Sequence, residues 1–270
     1  MTSKGRSDWL KLLAMVTMFI DHCGVLLFPD ADVLRMIGRF AFPIFAWGIA
    51  RGFKYTRDRR KYMLLLFGFG AISQIPYMWL NSRASMDPYT INQLWQFLYS
   101  VVVLFAVEKA QKSERGWTKL FFAPLALMLA FLPDAARYYY PQWTFSYGTY
   151  GILMSVLFYL FEGKWLQIVI GYFALSYFYG YSSIVFLSRQ PDLSYFQSYL
   201  NVSQHLNTLK RYGSYFQMSG IFSQSLSILA LPFIKAGEAE PKRPFLPRLV
   251  AYSFYPIHIA LLLLIRFIAF

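Results

Sequence analysis

Leu12-Leu-Ala-Met-Val-Thr-Met-Phe-Ile-Asp-His-Cys-Gly-Val-Leu-Leu-Phe28 is a continuous apolar run, interrupted by Thr17 and the adjacent pair Asp21-His22. A helix needs about 20 such residues to cross a bilayer, and this run approaches that length. It shows no alternation of apolar and polar positions, so it does not read as a barrel strand. Lys4 and Arg6 precede it as in a signal peptide. The run nevertheless continues past His22 to Phe28 with no small-x-small cleavage site after it, so a retained first helix is expected.

The rest of the chain repeats the pattern. Of its 270 residues, 57% are hydrophobic and only 14% charged. A soluble domain carries about 25% charged residues, so this composition cannot coat a globule of that size. Disorder, coiled coil and collagen are excluded on the same ground. The predicted fold is all-α, a polytopic helical bundle in a membrane, with residues 1–270 forming a single domain. Nine spans are expected, near 9–28, 35–53, 62–80, 92–108, 120–133, 147–161, 165–187, 216–234 and 249–268. The fifth and sixth are short for a bilayer. Residues 188–215 are polar and Tyr-rich and read as an external loop or re-entrant element. Residues 235–248 contain three prolines and read as a cytoplasmic linker.

The charge map orients the bundle. Seventeen Lys and Arg residues fall at the N-terminus and in alternate breaks, six of them within Arg51–Lys61, against five in the intervening breaks. The positive-inside rule then places the N-terminus in the cytoplasm and the C-terminus outside. The net charge of +13 is concentrated in these short breaks. That distribution suits membrane lipid headgroups or a phosphorylated substrate at the inner face, not nucleic acid. The lone Cys23 excludes an intrachain disulfide, and three histidines with one cysteine predict no structural metal site.

Ionisable residues at membrane depth are costly, which makes each a functional candidate. At 1.5 Å per residue, His22 lies about 20 Å from the cytoplasmic face, beside Asp21. Arg39 lies about 6 Å below the outer boundary on the returning helix, at a similar level. His258 lies about 14 Å up the last span, one turn beyond Tyr255. Four ionisable groups at comparable depth suit one polar chamber. Lys11 and His22 share a helix face about 16 Å apart, a cation at the mouth and an imidazole deep within. Such a stripe matches a ligand with an anionic head and a reactive tail, and coenzyme A thioesters have that shape. Taken singly, Lys11 also reads as a snorkelling anchor, Asp21 with Arg39 as a structural ion pair, and His258 as a donor to a backbone carbonyl. His205, in the 188–215 loop, is expected to be solvated.

Leu10–Gly24 and Leu34-Arg-Met-Ile-Gly-Arg-Phe-Ala-Phe-Pro-Ile-Phe45 resemble the opening of the TraX family, whose named member acetylates the N-terminus of conjugative pilin. Arg51-Gly-Phe, Thr56-Arg57, Ala71–Tyr77, Tyr147-Gly-Thr-Tyr-Gly-Ile152 and the terminal Tyr255-Pro-Ile-His258 continue the resemblance. Ser146 stands where the family often has Asp. The same elements are more distantly similar to acyltransferase family 3, in which a basic residue precedes a first-helix His at the Lys11–His22 spacing. The resemblance implies a bacterial inner-membrane acyltransferase, an acetyltransferase first of all, using acetyl-CoA or another acyl-CoA from the cytosol. It implies a basic residue at the donor, here Lys11, and His22 as the central catalytic residue. On the residues' own chemistry Arg39 is expected at the donor too, and His22 as general base or transient acyl carrier. Asp21 paired with Arg39 would stabilise the oxyanion, and Tyr255 and His258 would orient an amine- or hydroxyl-bearing peptide, glycan or lipid. A proton-coupled transporter or a non-catalytic assembly protein would keep similar buried polar residues.

Overall fold

The computed structural model describes residues 7–80, 86–211, 223–239 and 245–269. Helix α1 (Asp8–Leu26) is followed by α2 (Asp32–Gly38) and α3 (Ala41–Tyr55). Next come α4 (Arg59–Leu80), α5 (Gln93–Lys112), α6 (Gly116–Tyr139), α7 (Gly148–Leu160) and α8 (Trp165–Leu187). Two short helices, α9 (Tyr195–Leu200) and α10 (Val202–Arg211), pack against α8. A 3-10 helix (Ser223–Ala230), α11 (Leu231–Ala239) and α12 (Arg248–Ala269) complete the chain. Two-residue strands, β1 (Thr90–Ile91) and β2 (Thr144–Phe145), pair in parallel between helices.

Among the described residues, six segments are long and apolar enough to cross a membrane: α1, α2 with α3, α4, α6, α8 and α12. They correspond to six of the nine expected spans. Of the other three, α5 is a 20-residue helix but ends on Glu108, Lys109 and Lys112, and α7 has only 13 residues. The eighth, 216–234, begins outside the described residues.

The fifth span is longer than expected, 24 residues rather than 120–133. Pro133 does not stop α6. A proline in a helix leaves the carbonyl four residues earlier without its N–H. Here that carbonyl is Leu129, and the Tyr99 hydroxyl of α5 donates to it at 2.8 Å.

The second span is also not one smooth helix. Residues 38–40 close with three-residue turns, Arg39 N–H to Met36 O and Phe40 N–H to Ile37 O, separating α2 from α3. Gly38 is required at this point, because a Cβ there would overlap the side chain of Asp21 on α1.

One end of the bundle is tied together by charge. Arg51 on α3 bonds Glu162 after α7 at 2.9 Å and Glu238 on α11 at 3.3 Å. Arg59 on α4 holds Glu108 on α5. The Asp8 carboxylate accepts the backbone N–H groups of Phe245 and Leu246, each at 2.8 Å. The expected linker is thus helical to residue 239 and pinned at 245–246, with 240–244 outside the described residues. The basic breaks consequently share one end. Because α1 and α12 both start there and meet again further along at His22 and His258, they run in the same direction.

Of the 188–215 element, the described residues to 211 form α9, with a Ser194–Gln197 capping box, and α10; residues 212–215 lie outside the described residues. His205 is buried, contrary to the solvated position expected. Its Nδ1 lies 2.7 Å from Ser188 Oγ, and its Nε2 bonds the Ser198 carbonyl at 2.7 Å. Both ring nitrogens have partners, which removes the cost of burying the imidazole.

Candidate functional site

The site grows from two helices with the same layout. α1 carries Lys11, Met15, Met18 and His22 at steps of three and four, so they form one stripe. α12 carries Arg248, Ala251, Tyr252, Tyr255 and His258 at similar steps. Each stripe starts with a cation near the charge-tied end and reaches an imidazole about three turns later. As the helices are parallel, the two imidazoles arrive at one level.

They meet directly: His22 Nδ1 lies 2.7 Å from His258 Nε2. The ring planes differ by 2° and the centroids are 4.9 Å apart. Two imidazoles joined edge to edge by an in-plane N–H···N bond have centroids about 5 Å apart, so this is a hydrogen bond in the ring plane and not a face stack. His258 Nδ1 is 2.6 Å from the Phe254 carbonyl. A carbonyl only accepts, so Nδ1 of His258 carries the proton and, in the neutral ring, Nε2 is the acceptor. His22 must then donate from Nδ1, which leaves a lone pair on its Nε2. Among the described residues that nitrogen has no hydrogen-bond partner. His22 is 8% exposed and His258 3%.

Below this pair lies a cavity of about 420 Å³. Its mouth is formed by Lys11, Arg51, Arg57, Lys61 and Arg248 with one acid, Asp58; its walls include Met15, Met18, Ile44, Leu94 and Phe97; Gln93 and Tyr255 stand deep within it. Met18 is one turn before His22 and Tyr255 one turn before His258. The Tyr255 ring is 6.5 Å from His22 and 5.9 Å from His258 between centroids. The cavity therefore runs from a basic mouth to Met18 and Tyr255, one helical turn short of the histidine pair, and neither histidine lines it.

Asp21 and Arg39 lie apart from it. Asp21 is about 100° round α1 from His22. Its Oδ2 accepts from Arg35 at 3.4 Å, so the direct ion pair is with Arg35, while its Oδ1 is buried without a hydrogen-bond partner among the described residues. The Arg39 guanidinium faces Tyr147, with Tyr179 and Asp21 also near it. The expected Asp21–Arg39 pair is a looser cluster, and Arg39 does not line the cavity. The break after Gly38 explains this, since it turns Arg35 towards α1 and leaves Arg39 at the junction of two helices.

Sequence reasoning missed Gln93 and Asn92. Asn92 is fully buried and caps α5 by accepting from Leu94 N–H at 3.0 Å. Its Nδ2 donates to Gly70 O and Gln74 Oε1, both at 2.7 Å, clamping the start of α5 to α4. The signal was an Asn directly before an apolar run, an N-cap pattern.

A family model described as "TraX protein" matches residues 6–266. The chain belongs to the TraX family. Among curated relatives, the family member "Protein TraX" of Escherichia coli is 29% identical over 159 residues, 58% of this chain and 56% of that one. The "Probable fimbrial assembly protein FimC, serogroup H1" of Dichelobacter nodosus is 27% identical over 152 residues, 55% of this chain and 59% of that one. The matched part spans little more than half the length of these relatives. No solved structure matches the chain significantly.

Proposed function

We propose that this TraX-family membrane protein transfers an acyl group, acetyl first of all, from cytosolic acyl-CoA to an amine or hydroxyl acceptor. The observation that carries the reading is the His22–His258 pair, whose His22 Nε2 has no hydrogen-bond partner among the described residues, one helical turn beyond the deep end of a cavity with a basic mouth. The CoA phosphates would sit among Lys11, Arg51, Arg57, Lys61 and Arg248, with the pantetheine arm along the apolar wall. Met15 and Met18 are unbranched and flexible, so they can yield to the arm.

The acceptor's N–H or O–H gives its proton to His22 Nε2 as its nitrogen or oxygen bonds to the thioester carbon. The former carbonyl oxygen becomes an oxyanion. The C–S bond then breaks, and the CoA thiolate takes the proton back from the His22 imidazolium. Throughout, His22 Nδ1–H remains on His258 Nε2, so the base does not turn away. The Asp21–Arg35–Arg39 cluster lies about 100° round α1 from His22, outside the cavity lining, and suits the approach of the acceptor from the opposite end. In this reading α5, α7 and the segment ending in α11 complete nine crossings of a bacterial inner membrane, with the basic end in the cytoplasm.

The test is radiolabelled acetyl-CoA binding to inside-out and right-side-out vesicles, with His22→Ala alongside. Binding confined to inside-out vesicles is expected, with transfer reduced at least ~10²-fold in His22→Ala and binding kept. Binding only from the outer face, or normal transfer without His22, would overturn the reading. The name of the Dichelobacter relative supports a second reading, a non-catalytic role in fimbrial assembly; absence of acetyl-CoA binding from either face would favour it.

A further inference from the structure

Two hydrogen-bond donors at the deep end of the cavity have no acceptor among the described residues. Gln93 Nε2 is buried and unpartnered among the described residues. The Tyr255 hydroxyl accepts from the Gln93 backbone N–H at 3.4 Å, so its oxygen already serves as an acceptor, and its own proton has no acceptor among the described residues. Both side chains line the cavity, where Met18, Leu94 and Phe97 supply the neighbouring apolar wall. A buried donor without an acceptor costs free energy, about 1–3 kcal/mol by mutational measurement. Two such donors on one apolar cavity end mark where an oxygen of a ligand belongs.

We propose that Gln93 Nε2–H and Tyr255 O–H together bind the carbonyl oxygen of the acyl group. The inference rests on the acyl-CoA reading above and names the residues that would recognise the thioester. The chemistry of the end wall selects the group. A carbonyl oxygen has two lone pairs and no proton, so it satisfies both donors and leaves nothing unpaired. A phosphate or carboxylate would need a cation at this depth, and the cavity's cations stand at its mouth, about two helical turns or ~10 Å away along α1 and α12. A thioether or methylene would leave both donors orphaned. The two donors are also placed on rigid supports. Gln93 is the first residue of α5, whose start Asn92 clamps to α4, and Tyr255 lies between Pro256 and the Phe254 turn that holds His258.

The same two donors would meet greater negative charge when the carbonyl oxygen becomes an oxyanion, and hydrogen bonds to a charged acceptor are stronger than those to a neutral one. Gln93 and Tyr255 would thus hold the substrate's carbonyl in the ground state and stabilise it more in the transition state. This gives Tyr255 a role towards the donor, whereas the sequence assigned it to the acceptor.

The test compares two probes with purified protein in nanodiscs: acetyl-CoA, and S-ethyl-CoA, a thioether of the same length without the oxygen. Wild-type protein is expected to bind acetyl-CoA about tenfold more tightly. Gln93→Met, close to Gln in length, and Tyr255→Phe should each lose most of that preference and keep the S-ethyl-CoA affinity. Equal binding of the two probes by wild type, or a preference kept in both variants, would overturn the inference while leaving the acyl-CoA reading in place. Failure of wild type to bind either probe would overturn the acyl-CoA reading and this inference with it. If Gln93→Met does not insert, Gln93→Asn keeps the amide one methylene short of the carbonyl, and the same loss of preference is expected.

Discussion

Replacing His258 by Leu removes the acceptor of His22 Nδ1–H, which is 2.7 Å away and buried. Leucine cannot accept that proton. The orphaned donor costs about 1–3 kcal/mol unless His22 changes tautomer or turns. Either escape points a proton, not a lone pair, at the acceptor and spoils the base. If the cost falls on the transition state, transfer slows about 5- to 150-fold, at ~1.4 kcal/mol per factor of ten. His258→Gln sets an amide oxygen near the former Nε2 and should recover part of the loss. The assay is release of CoA thiol from acetyl-CoA in proteoliposomes, read beside the ¹⁵N spectrum of labelled histidine. In the wild type, both imidazoles should be neutral with the proton on Nδ1. A His22 proton on Nε2, or undiminished transfer in His258→Leu, would refute the tautomer chain.

Gly38→Ala should lower the unfolding temperature in detergent, with about 1–3 kcal/mol lost to overpacking against Asp21; an unchanged temperature would contradict the close approach of α1 and α2. Tyr99→Phe should cost about 1–3 kcal/mol by stripping the Leu129 carbonyl of its donor. In a Pro133→Ala background the cost should shrink, because the backbone N–H returns; an equal cost in both backgrounds would show that the hydroxyl does not serve the proline. Lys11→Ala should weaken CoA binding and flatten its dependence on salt while the rate at saturating donor is kept. A slowed saturated rate with normal binding would move Lys11 from the mouth to the chemistry.

His22 and His258 stood out in the sequence because an ionisable residue inside an apolar run has few innocent explanations. The Lys11–His22 stripe was legible for the same reason, with helix periodicity fixing which side chains share a face. The partners of these residues were harder to read. The break at residues 38–40 depends on a tight approach to Asp21 that no local pattern announces, so the ion pair was assigned to Arg39 instead of Arg35. Pro133 looked like a helix end because its remedy, Tyr99, belongs to another helix. Gln93 carries no charge and opens an apolar run, so no local pattern marked it; only its backbone bond to the Tyr255 hydroxyl, 162 residues away, shows that the start of α5 lies level with Tyr255. His205 looked wet because its two partners, Ser188 and the Ser198 carbonyl, are ordinary loop groups until the chain folds back.

The joining of His22 to His258 also has a consequence for synthesis. The two residues are 236 apart in sequence, and the first helix leaves the ribosome long before the last. Until α12 is inserted, His22 Nδ1–H has no His258 to donate to, the Tyr255 side of the cavity is missing, and Asp8 lacks the 245–246 amides. Contacts this distant along a chain form late, after the intervening segments have been ordered. The nascent protein thus carries its imidazole into the membrane without a tautomer fixed on it, and gains the His22–His258 bond only when α12 arrives. A chain truncated between α11 and residue 258 would keep most of its helices and lack the His258 half of the pair.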